Sequence, residues 1–142
     1  MLIKTLFISH GKGTKPEQLN KTELVEGIGM KDEPHQNSER QLSLIGASAL
    51  DQVEQMGKRG LCMHRYYANI VIDGLEGGML KKGDVLRIGQ ARVQITQVGK
   101  RCFDECVQVQ EGTSADCPLH TCLFAKVLSG GTVNAGDLVQ QE

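Results

Sequence analysis

KKGDVLRIGQARVQITQVGKRC, residues 81–102, decides the fold. Val85–Ile88 and Arg92–Val98 are runs rich in β-branched and large apolar residues, joined by the short Gly89-Gln90 link. That pattern predicts a β-hairpin. Working outward, Leu2–Ser9, Thr22–Glu26, Arg40–Ile45 (RQLSLI) and Tyr66–Ile72 (YYANIVI) read as further strands, and Leu138–Gln140 closes the chain. Leu123–Leu128 is apolar throughout and fits a strand or a buried helix. The clear helix is Ala47–Met56: Leu50, Val53 and Met56 recur at helical spacing, Ser48 is a candidate cap, and Gly57 and Gly60 would stop it. Gly11–Asn20 and Gly27–Glu39 read as loops, the second long enough to be a functional one. Short strands, glycine-rich turns and one helix predict a mainly β domain, barrel or sandwich. KKGDVLRIG at 81–89 echoes NAGDLVQ at 134–140, and two ordinary β-turns explain the echo without a true repeat.

The chain has 142 residues, which suits a single domain, 1–142, with a moderate core. A net charge of −1 offers no bulk attraction for nucleic acid, and an aromatic content of 4% with no tryptophan leaves few stacking platforms for bases. The opening MLIKTLFISH is interrupted by His10, Gly11 and Lys12, so it reads as neither signal peptide nor membrane span. Five cysteines, an odd number, in a chain read without an export signal predict reduced thiols in a cytoplasmic setting.

Four of those cysteines fall late, at Cys102, Cys106, Cys117 and Cys122. Cys102 follows Lys100 and Arg101, and fixed cations favour the thiolate, the form that attacks, carries sulfur or binds metal. On a strand only Lys100 shares the face of Cys102. Burial as a structural cysteine is the competing reading. Cys106 and Cys117 are resolving thiols for Cys102 or simply packed side chains. Cys102, Cys106, Cys117, His120 and Cys122 form a weaker zinc pattern, because no CxxC pair is present. Cys62 reads as incidental. Arg40, Lys100, Arg101 and Lys126 with Gly130-Gly131 sketch an anion pocket, and Arg40 is the best of them because it opens a strand. Asp32 and His35 form a candidate acid/base pair of low weight, and His10 and His64 have no evident partner.

The run GKRCFDEC…CPLHTCLFAKVLSGGTVNAGD resembles the MOSC domain, the module named after the C-terminus of molybdenum cofactor sulfurase. RQLSLIGASAL (40–50) is similar to the family's Arg-Gln strand and helix, NIVIDGL (69–75) to its Asn-Ile strand, and residues 81–102 to its Gly-Asp hairpin and cysteine segment. The size resembles small stand-alone bacterial members. The sequence departs from the family's Gly-Asp-x-His loop, with Lys31 before Asp32 and His35 after Pro34, and has Ala68 where Glu is common before Asn69. The resemblance implies a β-barrel with a few short helices. It implies that Cys102 carries a persulfide or ligates the molybdenum of a molybdopterin cofactor, and that Arg40 and Gln41 are the family's Arg-Gln pair; with the anion-pocket residues Lys100, Arg101, Gly130 and Gly131 they are the expected cofactor-binding set. It further implies a sulfurtransferase-type or cofactor-dependent activity, and partners among cofactor-biosynthesis or cysteine-desulfurase-type sulfur donors, with no nucleic acid and no membrane. Pyridoxal phosphate binding is a family-level association only. The alternative is a non-catalytic zinc-binding or redox-responsive module built on the late cysteines.

Overall fold

A computed structural model of the chain describes residues 1–11, 15–33, 39–55, 67–99 and 118–142. The strands are β1 (Leu2–Ile8), β2 (Glu17–Leu19), β3 (Lys21–Val25), β4 (Gly29–Met30), β5 (Leu42–Gly46), β6 (Ile70–Asp73), β7 (Val85–Ile88), β8 (Ala91–Val98), β9 (Leu123–Ser129), β10 (Gly131–Asn134) and β11 (Val139–Gln141). Helix α1 spans Ala47–Gln55, and a single 3-10 turn spans Pro118–Thr121. The protein is mainly β, as its alternating runs predict. Eight strands form one sheet in the order β11-β7-β8-β9-β5-β6-β1-β2, and β10-β3-β4 form a second.

The β7–β8 hairpin forms with Ile88 opposite Ala91, so Gly89-Gln90 is a two-residue loop. The apolar run after Cys122 resolves as a strand, because β9 lies between β8 and β5 and sends apolar side chains into clusters on both faces. Leu123, Ala125 and Val127 enter the main core, while Phe124 enters a second cluster with Ile45, Ala47, Val53, Val71 and Cys122. β5 and β6 pair in parallel and obey the same alternation: Leu44, Ile70 and Ile72 face the main core, and Ile45 and Val71 face α1. Val53 is buried and Leu50 packs beside it, as the helical spacing predicts. Ser48 is not the cap: it lies inside the first turn, and its hydroxyl donates to the Glu76 carboxylate at 3.3 Å. Met56, Gly57 and Gly60 lie outside the described residues.

The two predicted loops each contain a short strand. Glu17–Leu19 pairs with the C-terminal half of β1, and Gly29–Met30 with β3. Both are too brief to show a period-2 pattern, and each exists because a neighbouring strand offers a free edge. The same edge of β1 that binds β2 is taken at its N-terminal half by residues 136–139. Ile3 N–H donates to the Asp137 carbonyl at 2.9 Å, Gly136 N–H to the Ile3 carbonyl at 2.7 Å, and Val139 N–H to the Met1 carbonyl at 2.8 Å. These bonds and a Leu2–Leu138 bridge bring the two ends of the large sheet together, although its ladders do not run on into a closed barrel.

The sequence echo is a structural one. Asp84 Oδ2 accepts from Lys81 N–H and Asp137 Oδ2 from Asn134 N–H, each at 2.8 Å. Gly83 and Gly136 adopt nearly the same left-handed φ, 96° and 94°. Each turn feeds one member of the antiparallel β7–β11 pair. Two copies of one Asp-capped turn therefore frame that pair.

Candidate functional site

Arg40, Gln41, Lys126, Gly130 and Gly131 fall among the described residues; Lys100, Arg101, Cys62, Cys102, Cys106 and Cys117 lie outside them, as do His35 and His64. Arg40 precedes β5 and is exposed, with its guanidinium carbon 4.6 Å from the centroid of the Phe124 ring. Its Nε donates to Gln97 Oε1 at 3.0 Å. A register shift in the β8–β9 ladder between Ile95 and Gln97 marks a β-bulge, a device that re-aims side chains. Both bulge residues reach the start of β5: Gln97 holds Arg40, and the Thr96 hydroxyl donates to the Glu39 carbonyl. The other end of Gln97, Nε2, donates to the Gly99 carbonyl at 2.9 Å.

Gly99 is held from both sides, since its own N–H donates to the Cys122 carbonyl at 2.6 Å. Its φ of 80°, and the His120 carbonyl oxygen 2.8 Å from where a Cβ would stand, leave room for glycine alone. Cys102 follows three residues later in the chain.

Arg40 differs from the other described arginines in its charge environment. Arg92 meets Glu142 at 2.9 Å and Arg87 meets the same carboxylate at 3.9 Å. Arg40 has no acidic partner among the described residues, and its donors there are confined to Nε. A neutral amide and an aromatic face orient it without cancelling its charge, so the Nη1/Nη2 edge remains available to an anion. Gln41 is buried beside it, and its Oε1 accepts from Val127 N–H at 2.9 Å, tying β5 to β9. Lys126 is half-buried on β9. Gly130 and Gly131 are sites of close backbone approach. A Cβ on Gly130 would stand 2.6 Å from the Leu24 carbonyl oxygen, and one on Gly131 would stand 2.8 Å from the Gln90 carbonyl.

A second polar cluster was not legible in the sequence. Glu33 is 5% exposed and Asn69 3% exposed. Glu33 Oε1 accepts from the Tyr67 hydroxyl at 2.8 Å, and Oε2 accepts from Asn69 Nδ2 at 2.7 Å and from Ser9 N–H at 3.4 Å. Asn69 Oδ1 accepts from Ser43 N–H at 2.9 Å, and Asn69 N–H donates to the Ser43 hydroxyl at 3.0 Å. The network thus joins β1, the loop after β4, β5 and the start of β6. Asp32, the acid singled out from sequence, is exposed and sits at a φ of 69°, the left-handed conformation that lets the chain turn Glu33 inward. His10 does have a partner, Glu17, at 2.6 Å, and the pair is exposed.

Burial raises the Tyr67 pKa well above its ordinary value of 10.0, and the hydrogen bond to Glu33 and the carboxylate's charge push it the same way. The neutral phenol is therefore favoured in the fold. The stabilisation it gives is complete below pH about 10 and is lost as the pH rises beyond that. A near-ultraviolet alkaline titration should show one of the chain's two tyrosines ionising late, together with unfolding. Tyr67→Phe should remove that late step, and an unchanged titration in the variant would contradict the assignment.

Among the described residues no three His, Cys, Asp or Glu side chains gather into a metal-ligating group, and no helix is long and apolar enough to cross a membrane.

The family model of the MOSC domain matches residues 31–140, and the chain belongs to the MOSC domain family. That family is associated with the molybdenum cofactor. No curated protein matches the sequence. Among solved structures, the YuaD protein from Bacillus subtilis superposes with a TM-score of 0.73 at 17% identity, covering 99% of this chain and 94% of that one. YiiM from Escherichia coli gives a TM-score of 0.62 at 17% identity over 100% of this chain and 70% of that one. YiiM from Geobacillus stearothermophilus gives 0.64 at 15% over 99% and 74%. At these identities the likeness is one of fold.

Proposed function

We propose that this MOSC domain handles sulfur or the molybdenum cofactor through Cys102, with Arg40 and Lys100 holding the anionic ligand. The observation that supports it is the guanidinium of Arg40, which has no acidic partner among the described residues and is linked by Gln97 to the Gly99 carbonyl just ahead of the Lys100-Arg101-Cys102 run. We read the large sheet as the barrel of the family, with its seam at the bonds between residues 1–3 and 136–139. A terminal phosphate on a pterin cofactor suits a guanidinium that offers two parallel N–H donors. When bound, the cofactor would supply a redox-active metal; Arg40 binds and orients its anionic end.

In the sulfur-carrier form of the reading, the Cys102 thiolate attacks the outer sulfur of a donor persulfide, R–S–SH. A new S–S bond forms on Cys102, the donor S–S bond breaks, and the donor leaves as the thiolate R–S⁻. The product is Cys102–S–SH, and no external oxidant is consumed. Lys100 stabilises the attacking thiolate, and Cys106 or Cys117 resolves a persulfide that finds no acceptor by attacking its inner sulfur, forming a disulfide with Cys102 and expelling hydrosulfide.

Intact mass spectrometry without reductant tests this, after incubation with a cysteine desulfurase and free cysteine. Wild type should gain one or more sulfur masses, and Cys102→Ser should gain none. An unmodified wild type would remove the sulfur-carrier reading and leave cofactor ligation or a zinc module, which bound metal without pterin would identify.

A further inference from the structure

We infer that Gln97, presented by the β8 bulge, is the positioning residue that makes Arg40 a receptor for an oxyanion approaching end-on. This rests on the reading of Arg40 as an anion-binding residue. The geometry carries it in three parts. Gln97 Oε1 occupies Nε, which closes the side-on edge of the guanidinium. The Phe124 ring covers one face. What remains for a ligand is the Nη1/Nη2 edge, whose two parallel N–H bonds match a phosphate monoester or a carboxylate.

The choice of an amide at position 97 is central. A glutamate there would hold Arg40 at least as firmly, but its charge would cancel the attraction the site needs. Arg87 and Arg92 show the alternative within the same chain, since both lie against the Glu142 carboxylate. The bulge supplies the rest. In an unbroken ladder Thr96 and Gln97 would face opposite sides of the sheet, whereas here both reach residues 39 and 40. Gln97 is itself fixed at its far end by the Gly99 carbonyl, so its carbonyl oxygen cannot swing away from Arg40 at little cost.

The test is calorimetric titration with inorganic phosphate, alongside thermal melts, on wild type, Arg40→Met, Gln97→Glu and Gln97→Leu. Wild type should bind and Arg40→Met should not. Gln97→Glu should melt at or above the wild-type temperature and yet bind phosphate about tenfold more weakly or worse, because a carboxylate now competes for the guanidinium. Gln97→Leu should lose about threefold to tenfold, because the guanidinium is no longer aimed. A purely structural role would make affinity follow stability, and Gln97→Glu is expected to separate them. Phosphate binding that needs Arg40 but is unaltered in Gln97→Glu would overturn the role of Gln97 alone. Phosphate binding absent from wild type, or indifferent to Arg40→Met, would overturn the anion-site reading and this inference with it.

Discussion

Asn69→Leu should cost roughly 3–5 kcal/mol of stability, on the order of 10–15 °C in melting temperature. Leucine fills similar space, so the loss is one of polar partners rather than volume. Asn69 Nδ2 is one of three donors to Glu33, a carboxylate that is 5% exposed and has no cation beside it among the described residues. Removing that donor leaves a buried carboxyl group short of a partner. It also strands Ser43 N–H, whose acceptor is Asn69 Oδ1. Glu33→Gln in the same background should restore part of the loss, since a neutral amide in the pocket needs less solvation. If Asn69→Leu melts within a few degrees of wild type, the network is not what anchors the loop after β4. The measurement is a melt with tertiary-structure detection, because local collapse would leave the strands intact.

Gly46→Ala should be nearly as damaging, at about 3 kcal/mol or more, through overlap instead of lost bonds. Gly46 ends β5 where the chain turns into α1, and a Cβ there would overlap the carbonyl oxygen of Leu75. Backbone, unlike the tip of a long side chain, has nowhere to go: residues 70–73 are locked between β5 and β1, and Leu75 belongs to the main core. The variant should shift the denaturant midpoint down without changing the slope. An unshifted midpoint would mean that α1 can slide on the sheet.

The strands that announced themselves in the sequence are those with two neighbours or a tight turn. Val85–Ile88 and Ala91–Val98 are joined by Gly89-Gln90, and their register was readable because two residues leave no slack. Leu123–Leu128 was ambiguous for the opposite reason: a strand with apolar side chains on both faces loses its alternation. Glu17–Leu19 and Gly29–Met30 carry no local signal at all. The candidate site divides in the same way. Arg40 could be picked out because it stands just ahead of an alternating strand run. Gln97 could not, since its meaning lies in a bulge that a period-2 pattern does not reveal. Glu33, Tyr67 and Asn69 are separated by up to 36 residues and meet only when four elements do. A lone acid in a polar loop reads as solvated until that happens.

The bonds between residues 1–3 and residues 136–139 bear on how the chain reaches its native state. They join segments more than 130 positions apart, and they sit where β1 also receives β2 and where β11 joins β7. Pairings so distant are reached only after a large loss of chain entropy, so they form late and folding is slow. Until they form, the N-terminal half of β1 presents a bare edge, and a newly made chain is open to association with its neighbours throughout that interval.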